Sequence, residues 1–191
     1  GSRDAVPYPR LIKCGGGDDG LYEDRKFEQN IQGALANGIQ VGVYFYSGAS
    51  NAREAYDEAS YCISLIRDYQ ITYPVAFDWE LDGDYDSVTE ACETFCNVIS
   101  SYGYQPMVYS NRNRWYNNFD GEKIASKYKV WMAAYFGKFY YDSVRWTYGD
   151  DLPNFRYHYD MWQYSSRCYV DGISGQVDVD IAFFGYATYH V

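Results

Sequence analysis

The chain has 191 residues, 47% of them hydrophobic, enough to bury one sizeable core and to predict a single compact domain. Its 16 basic and 26 acidic residues leave a formal net charge of −10, and binding a phosphate backbone needs many lysines and arginines. No apolar run reaches the ~18 residues a spanning helix requires, so neither nucleic acid nor membrane is an expected partner.

Short β-rich runs alternate with helical patterns along the chain, as in parallel βα units. Arg10 to Cys14 predicts a strand that ends in the turn Gly15-Gly16-Gly17. Asp24 is the expected N-cap of a helix in which Phe27, Ile31, Ala34 and Leu35 recur at helical spacing, and Asn37-Gly38 stops it. Val41 to Tyr46 is a buried-type strand, Ala52 to Asp68 a helix, Pro74 to Glu80 the next strand and Ser87 to Ser101 a helix closed at Gly103. Pro106 to Tyr109, Lys129 to Ala133, Tyr159 to Tyr164 and Val177 to Ile181 bring the strands to seven. The fold class that follows is α/β, a barrel related to the (β/α)8 type, in which functional residues gather at the C-terminal ends of strands. An open doubly wound sheet is the alternative, but no Gly-x-Gly-x-x-Gly turn follows a strand, so no dinucleotide or other cofactor is expected.

Aromatics make up 20% of the chain, with 24 Tyr and 5 Trp. Rings with polar tips suit a ligand with apolar faces and hydroxyl edges, such as a sugar; a tyrosine-rich rim to the core is the plainer alternative. The five cysteines, Cys14, Cys62, Cys92, Cys96 and Cys168, are spread too widely for a zinc ribbon, and no metal site is expected. They read as small buried hydrophobes, or as including a Cys62–Cys96 bridge if those two lie on neighbouring helices.

The most informative segment is Ala76-Phe77-Asp78-Trp79-Glu80. Residues two apart on a strand point the same way, roughly 6–7 Å apart, so Asp78 and Glu80 share one face. Unpaired charges in an apolar strand are costly. Two carboxylates at a barrel strand end fit glycoside hydrolysis, in which one acid protonates the leaving oxygen and the other supports the positive charge growing on the sugar. Their proximity raises one pKa and keeps that acid protonated. The alternative is a pair that caps the next helix or meets Arg112 or Arg114.

Six blocks, Val41 to Ser47, Val75 to Glu80, Met107 to Asn111, Val130 to Tyr135, Met161 to Ser165 and Gly172 to Asp178, resemble in order and spacing the family-25 glycoside hydrolases, the N-acetylmuramidase lysozymes. The resemblance runs from about Leu11 to Phe184. It implies a modified TIM-like β/α barrel that hydrolyses the β-1,4 bond between N-acetylmuramic acid and N-acetylglucosamine in peptidoglycan. It also implies Glu80 as general acid/base, Asp78 as its companion and Asp178 as the acid of the last strand. Asp78 and Asp178 would hold the substrate's own acetamido group, which attacks the anomeric carbon. Tyr46, Tyr109, Trp131, Tyr135 and Gln163 would line the groove, and Asp180 stands where the family usually has Asn.

Family members begin with a strand carrying an Asp-x-Ser-type motif and a helix, ahead of the strand that Leu11 to Cys14 resembles. This chain has ten residues there, and Asp4 does not substitute. The expectation is therefore a barrel without its first βα unit, whose exposed edge is covered by residues 3–9, by self-association with a neighbouring molecule, or by rearrangement. Gly1-Ser2 reads as an expression scar, residues 1–9 as an N-terminal extension of a trimmed or mature form, and 10–191 as the hydrolase domain. The protein is expected to be secreted, acting outside the cell or in the wall on peptidoglycan glycan strands. The competing expectation is a glycan-binding or assembly protein derived from the same barrel but without turnover.

Overall fold

The structure, a computed structural model, describes residues 9–82, 87–135, 152–170 and 172–184. Its core is one eight-stranded sheet in the order β2-β1-β3-β4-β5-β6-β7-β8. The strands are β1 (Arg10–Gly16), β2 (Tyr22–Glu23), β3 (Val41–Ser47), β4 (Val75–Trp79), β5 (Pro106–Asn111), β6 (Lys129–Ala133), β7 (Met161–Cys168) and β8 (Val177–Ala182). From β1 to β7 every neighbouring pair is parallel, while β2 and β8 run antiparallel at the two edges. Helices α1 (Phe27–Ala36), α2 (Ala52–Ile66) and α3 (Val88–Ser101) connect β2 to β3, β3 to β4 and β4 to β5; the short α4 (Arg112–Asn117) and α5 (Gly121–Ala125) lie between β5 and β6. None of the described helices is long and apolar enough to cross a membrane.

The sheet is curled into a half-barrel. The rings of Tyr44 on β3 and Trp131 on β6 lie with centroids 6.1 Å apart, although β4 and β5 intervene. On a flat sheet those strands would stand about 14 Å apart. Strand alternation then divides the side chains into two sets. Val43, Phe45, Phe77, Trp79, Val108, Val130, Met132 and Trp162 point outward and pack under the helices with Phe95, Ile63 and Ile31. Ala76, Met107, Tyr109, Trp131, Ala133 and Met161 point inward and form a second, smaller cluster with Leu11 and Tyr44. The inner set is smaller, and strand alternation brings Asp78 and Gln163 onto its face.

Several local expectations need correction. Asp24 does not cap α1: the N-cap is Lys26, without a side-chain bond, and Asp24 Oδ1 accepts from the Lys26 N–H at 2.9 Å, closing the turn ahead of the helix. Asn51 does cap α2, accepting from the Glu54 N–H at 3.0 Å, and that helix ends at Ile66 instead of Asp68. The stops at Gly38 (φ +69°) and Gly103 (φ +84°) are as expected, since left-handed backbone favours glycine. The strand expected over Tyr159 to Tyr164 runs instead from Met161 to Cys168, because its polar end, Ser165 to Arg167, is held beside β8 through irregular pairing that apolar patterning does not reveal. The Cys62–Cys96 bridge is also not formed. All five cysteines are buried, Cys14, Cys62, Cys92 and Cys96 are free thiols, and the Cys62 Sγ faces Cys14 Sγ at 3.8 Å. Of residues 3–9, the segment expected to cover the exposed edge, all but Pro9 lie outside the described residues.

Candidate active site

β4 is buried along its whole length, and its last turn of alternation brings Asp78 inward and Glu80, just past the strand, to the same side. Both carboxylates act electrostatically on the hydroxyls of Tyr46 and Tyr109, which places them on the concave face between β3 and β5. Their surroundings differ. Asp78 is 4% exposed, and its Oδ1 is buried with no hydrogen-bond partner. The Glu80 side chain is 35% exposed and opens to solvent at the strand end.

Burial raises the Asp78 carboxyl well above the usual range, and the neighbouring Glu80 and Asp178 add to the rise; Lys13 and Arg114 oppose it. Burial also raises Glu80, against Arg114 and Lys13 and with Asp178. Asp178, on β8, is raised by desolvation as well. The three carboxyls that the sequence singled out are thus neighbours on one face, although 100 residues separate Asp78 from Asp178.

Arg114 does not seal the pair. Its Nη1 stands 4.0 Å from Glu80 Oε2, at the outer limit of an ion pair, while its Nη2 meets Asp82 at 2.8 Å and its Nε donates to the Leu81 carbonyl at 3.0 Å. Asn111 sets this arrangement by capping α4, its side chain accepting from the Arg114 N–H at 3.0 Å. The guanidinium therefore braces the chain just after Glu80, and a polar cleft lined by Asp82, Asn111, Asn113 and Asn117 opens alongside it.

The expected groove residues fall into two groups. Tyr46 and Tyr135 keep accessible ring surface, whereas Tyr109, Trp131 and Gln163 are almost fully buried and form the floor. Gln163 Oε1 accepts from the Tyr109 hydroxyl at 2.8 Å and from the Tyr135 hydroxyl, and Trp131 packs on Tyr109 with ring centroids 4.5 Å apart.

Sequence reasoning passed over three residues here. Lys13 on β1 lies over the Tyr46 ring at 4.8 Å and the Tyr22 ring at 5.6 Å, and is the second cation, beside Arg114, that acts on Asp78 and Glu80. Alternation with the buried Ile12 and Cys14 marks it as inward-facing, the rule that found Asp78. Tyr44 meets Trp131 from across the half-barrel, and burial, reinforced by Asp78 and Asp178, raises its hydroxyl above the ordinary tyrosine value. Glu58, on the buried stripe of α2, accepts from the Ser47 hydroxyl and from the Gly48 N–H at 2.9 Å. A Cβ on Gly17 would stand 2.1 Å from its Oε1, so a residue there without a side chain lets the first strand's turn close over the carboxyl. Burial pushes Glu58 up to about 7, against those two hydrogen bonds. Among the described residues no group of three or more His, Cys, Asp or Glu side chains is arranged to hold a metal.

The sequence model of the glycosyl hydrolases family 25 matches residues 11–173. The chain belongs to this family. Asp178 and Asp180 lie just beyond the matched residues. Among curated relatives, the chain is similar to the autolytic lysozyme of Clostridium acetobutylicum, 26% identical over 83% of this chain and 44% of the relative. It is likewise similar to the lysozyme of Streptococcus phage Cp-1, 29% identical over 66% of this chain and 37% of the relative. The chain thus spans less than half the length of these two relatives. Among solved structures, the modular autolysin LytC of Streptococcus pneumoniae superposes with a TM-score of 0.70 at 28% identity, covering 89% of this chain and 39% of that one. The curled half-barrel with its outer helices is therefore a family-25 α/β barrel-like fold.

Proposed function

We propose that this family-25 chain is a peptidoglycan hydrolase that cleaves the β-1,4 bond between N-acetylmuramic acid and N-acetylglucosamine. The observation that carries the reading is the inequality of the two carboxyls on one concave face: Glu80 solvent-accessible and raised, Asp78 buried with an unpartnered oxygen. A raised acid at the open end of the site retains the proton a leaving glycosidic oxygen needs. A buried, unsatisfied carboxyl oxygen has lost its hydration without replacement, and a substrate amide N–H supplies the missing donor.

In the proposed reaction Glu80 gives its proton to the glycosidic oxygen as the bond to the anomeric carbon breaks. Asp78 and Asp178 hold the acetamido group, whose carbonyl oxygen bonds to that carbon and spreads the positive charge into the amide. Glu80, now a carboxylate, takes a proton from the water that opens this cyclic intermediate, which restores both acid and acetamide. Tyr46 and Tyr135 offer ring faces to the sugar from a floor of Tyr109, Trp131 and Gln163. Glycan strands outside the cell, in the wall, are the proposed substrate and location.

The test is incubation of the purified chain with Gram-positive cell walls, following turbidity and released reducing ends, beside Glu80→Gln. The parent is expected to clear the walls and the variant to lose on the order of 10²–10⁴ in rate, the usual worth of a general acid. Equal clearing by both removes Glu80 from its role, and sedimentation with the walls without clearing by either replaces hydrolysis with glycan binding.

A further inference from the structure

One polar contact on the inner face has no part in the proton transfers above. The Trp131 indole, 4% exposed, donates from Nε1 to Asp180 Oδ1 at 2.7 Å. Trp131 is on β6 and Asp180 on β8, and β7 lies between them in the sheet. The bond therefore passes over a whole strand, at the level where Asp180 pairs with Gln163. An indole N–H can only donate, so the ring's orientation in a buried site depends on finding an acceptor. Asp180 supplies it.

The same indole is a hub. Tyr109 packs on it at 4.5 Å between centroids and Tyr44 meets it edge-on at 6.1 Å. The Tyr109 hydroxyl donates to Gln163, which also accepts from Tyr135 at the exposed rim. One carboxyl thus stands at the root of a relay that ends on a ring accessible to ligand.

We propose that Asp180 is a positioning residue for the glycan groove: its hydrogen bond locks the Trp131 indole and, through that ring, the Tyr109, Gln163 and Tyr135 arrangement that receives the sugar. The proposal rests on the glycosidase reading of this face. Loss of solvent pushes the Asp180 carboxyl up to about 8, the Trp131 bond opposing and Asp178 adding to the rise. The titratable groups facing it are Asp178 on its own strand and Tyr164 on β7, while β6 presents the non-titrating Trp131. Below pH 8 the latch is neutral, so the acceptor for Trp131 brings no further negative charge beside Asp178. Above it, a second carboxylate forms next to Asp178, and the indole bond becomes charge-assisted and tightens.

The experiment compares the parent with Asp180→Asn and Asp180→Ala, and uses Trp131→Phe to isolate that indole's emission by difference. Between pH 6 and 9.5 the parent is expected to show a change in Trp131 fluorescence centred near 8, which Asp180→Asn abolishes. On soluble peptidoglycan fragments Asp180→Ala is expected to raise KM about tenfold with kcat within about twofold, the sign of lost groove binding, and Asp180→Asn, still an acceptor, to recover most of the KM. A transition that persists in Asp180→Asn, or an Asp180→Ala variant with parental KM, overturns the proposal. A parent that turns over no fragment but whose transition vanishes in Asp180→Asn refutes the glycosidase reading while retaining the latch.

Discussion

The two faces of β4 invite comparison. Outward from the strand, Phe77 and Trp79 are fully buried, Phe77 against Phe95 of α3 and Trp79 against Phe119. Inward, Asp78 is buried to nearly the same degree, and its Oδ1 has no partner. One face has optimised packing and the other holds an unsatisfied charge-bearing group. The difference shows where stability has been given up, and an unpaired acid facing an open groove is where a ligand restores it.

The sharpest way to break the comparison is on the outer face. Phe77→Ala is expected to lose about 3–5 kcal/mol of stability in denaturant titration, the usual penalty for such a cavity, while kcat of the molecules still folded is unchanged. A large fall in kcat with little change in stability would mean that the faces are not independent.

Next in size is the pH dependence of stability due to Glu58. Its carboxyl titrates near 7 when folded and near its ordinary 4.5 when unfolded, so the native state binds the proton more tightly. Stability from this group is complete below pH 4.5 and is lost as pH rises toward 7, by as much as about 3 kcal/mol. Glu58→Gln is expected to flatten that fall in urea midpoints taken from pH 4 to 8, and an unchanged slope assigns it to other acids.

A further effect is expected at Asp78. Because its folded pKa is raised by burial, ionisation costs stability at pH above the unfolded value, so Asp78→Asn is expected to raise stability at pH 7 and to leave it unchanged below pH 3. Calorimetric melting at both pH values checks this. Smallest is Tyr135→Phe, which removes one partly exposed hydroxyl from Gln163. It is expected to raise KM about two- to fivefold, matching a hydrogen bond of about 0.5–1 kcal/mol.

Much of this was legible in the residues because strands have a period of two. Alternation through Ala76-Phe77-Asp78-Trp79-Glu80 turns both acids to one side, and the structure shows them there. Glu58 was equally legible as a charge on the Ala55, Ala59, Cys62 stripe of α2, but a single acid in a helix carries no paired signal. β2 was not legible, since two residues, Tyr22 and Glu23, show no periodicity and owe their extension to the neighbouring β1. Asp24 misled because a side chain that closes a turn and one that caps a helix use the same short oxygen. The tie between Trp131 and Asp180 spans 49 positions and depends on how tightly the sheet curls, which no local pattern encodes.

The final strand bears on how the site comes into being. Among the described strands β8 is hydrogen-bonded to β7 alone, and on that single ladder ride both Asp178 and Asp180. The acid dyad of β4 can be in place once the middle of the sheet has formed, whereas its third carboxyl arrives only when this outermost ribbon zips down. Fraying of this one edge would therefore unplug both the third acid and the clasp on the indole at a stroke.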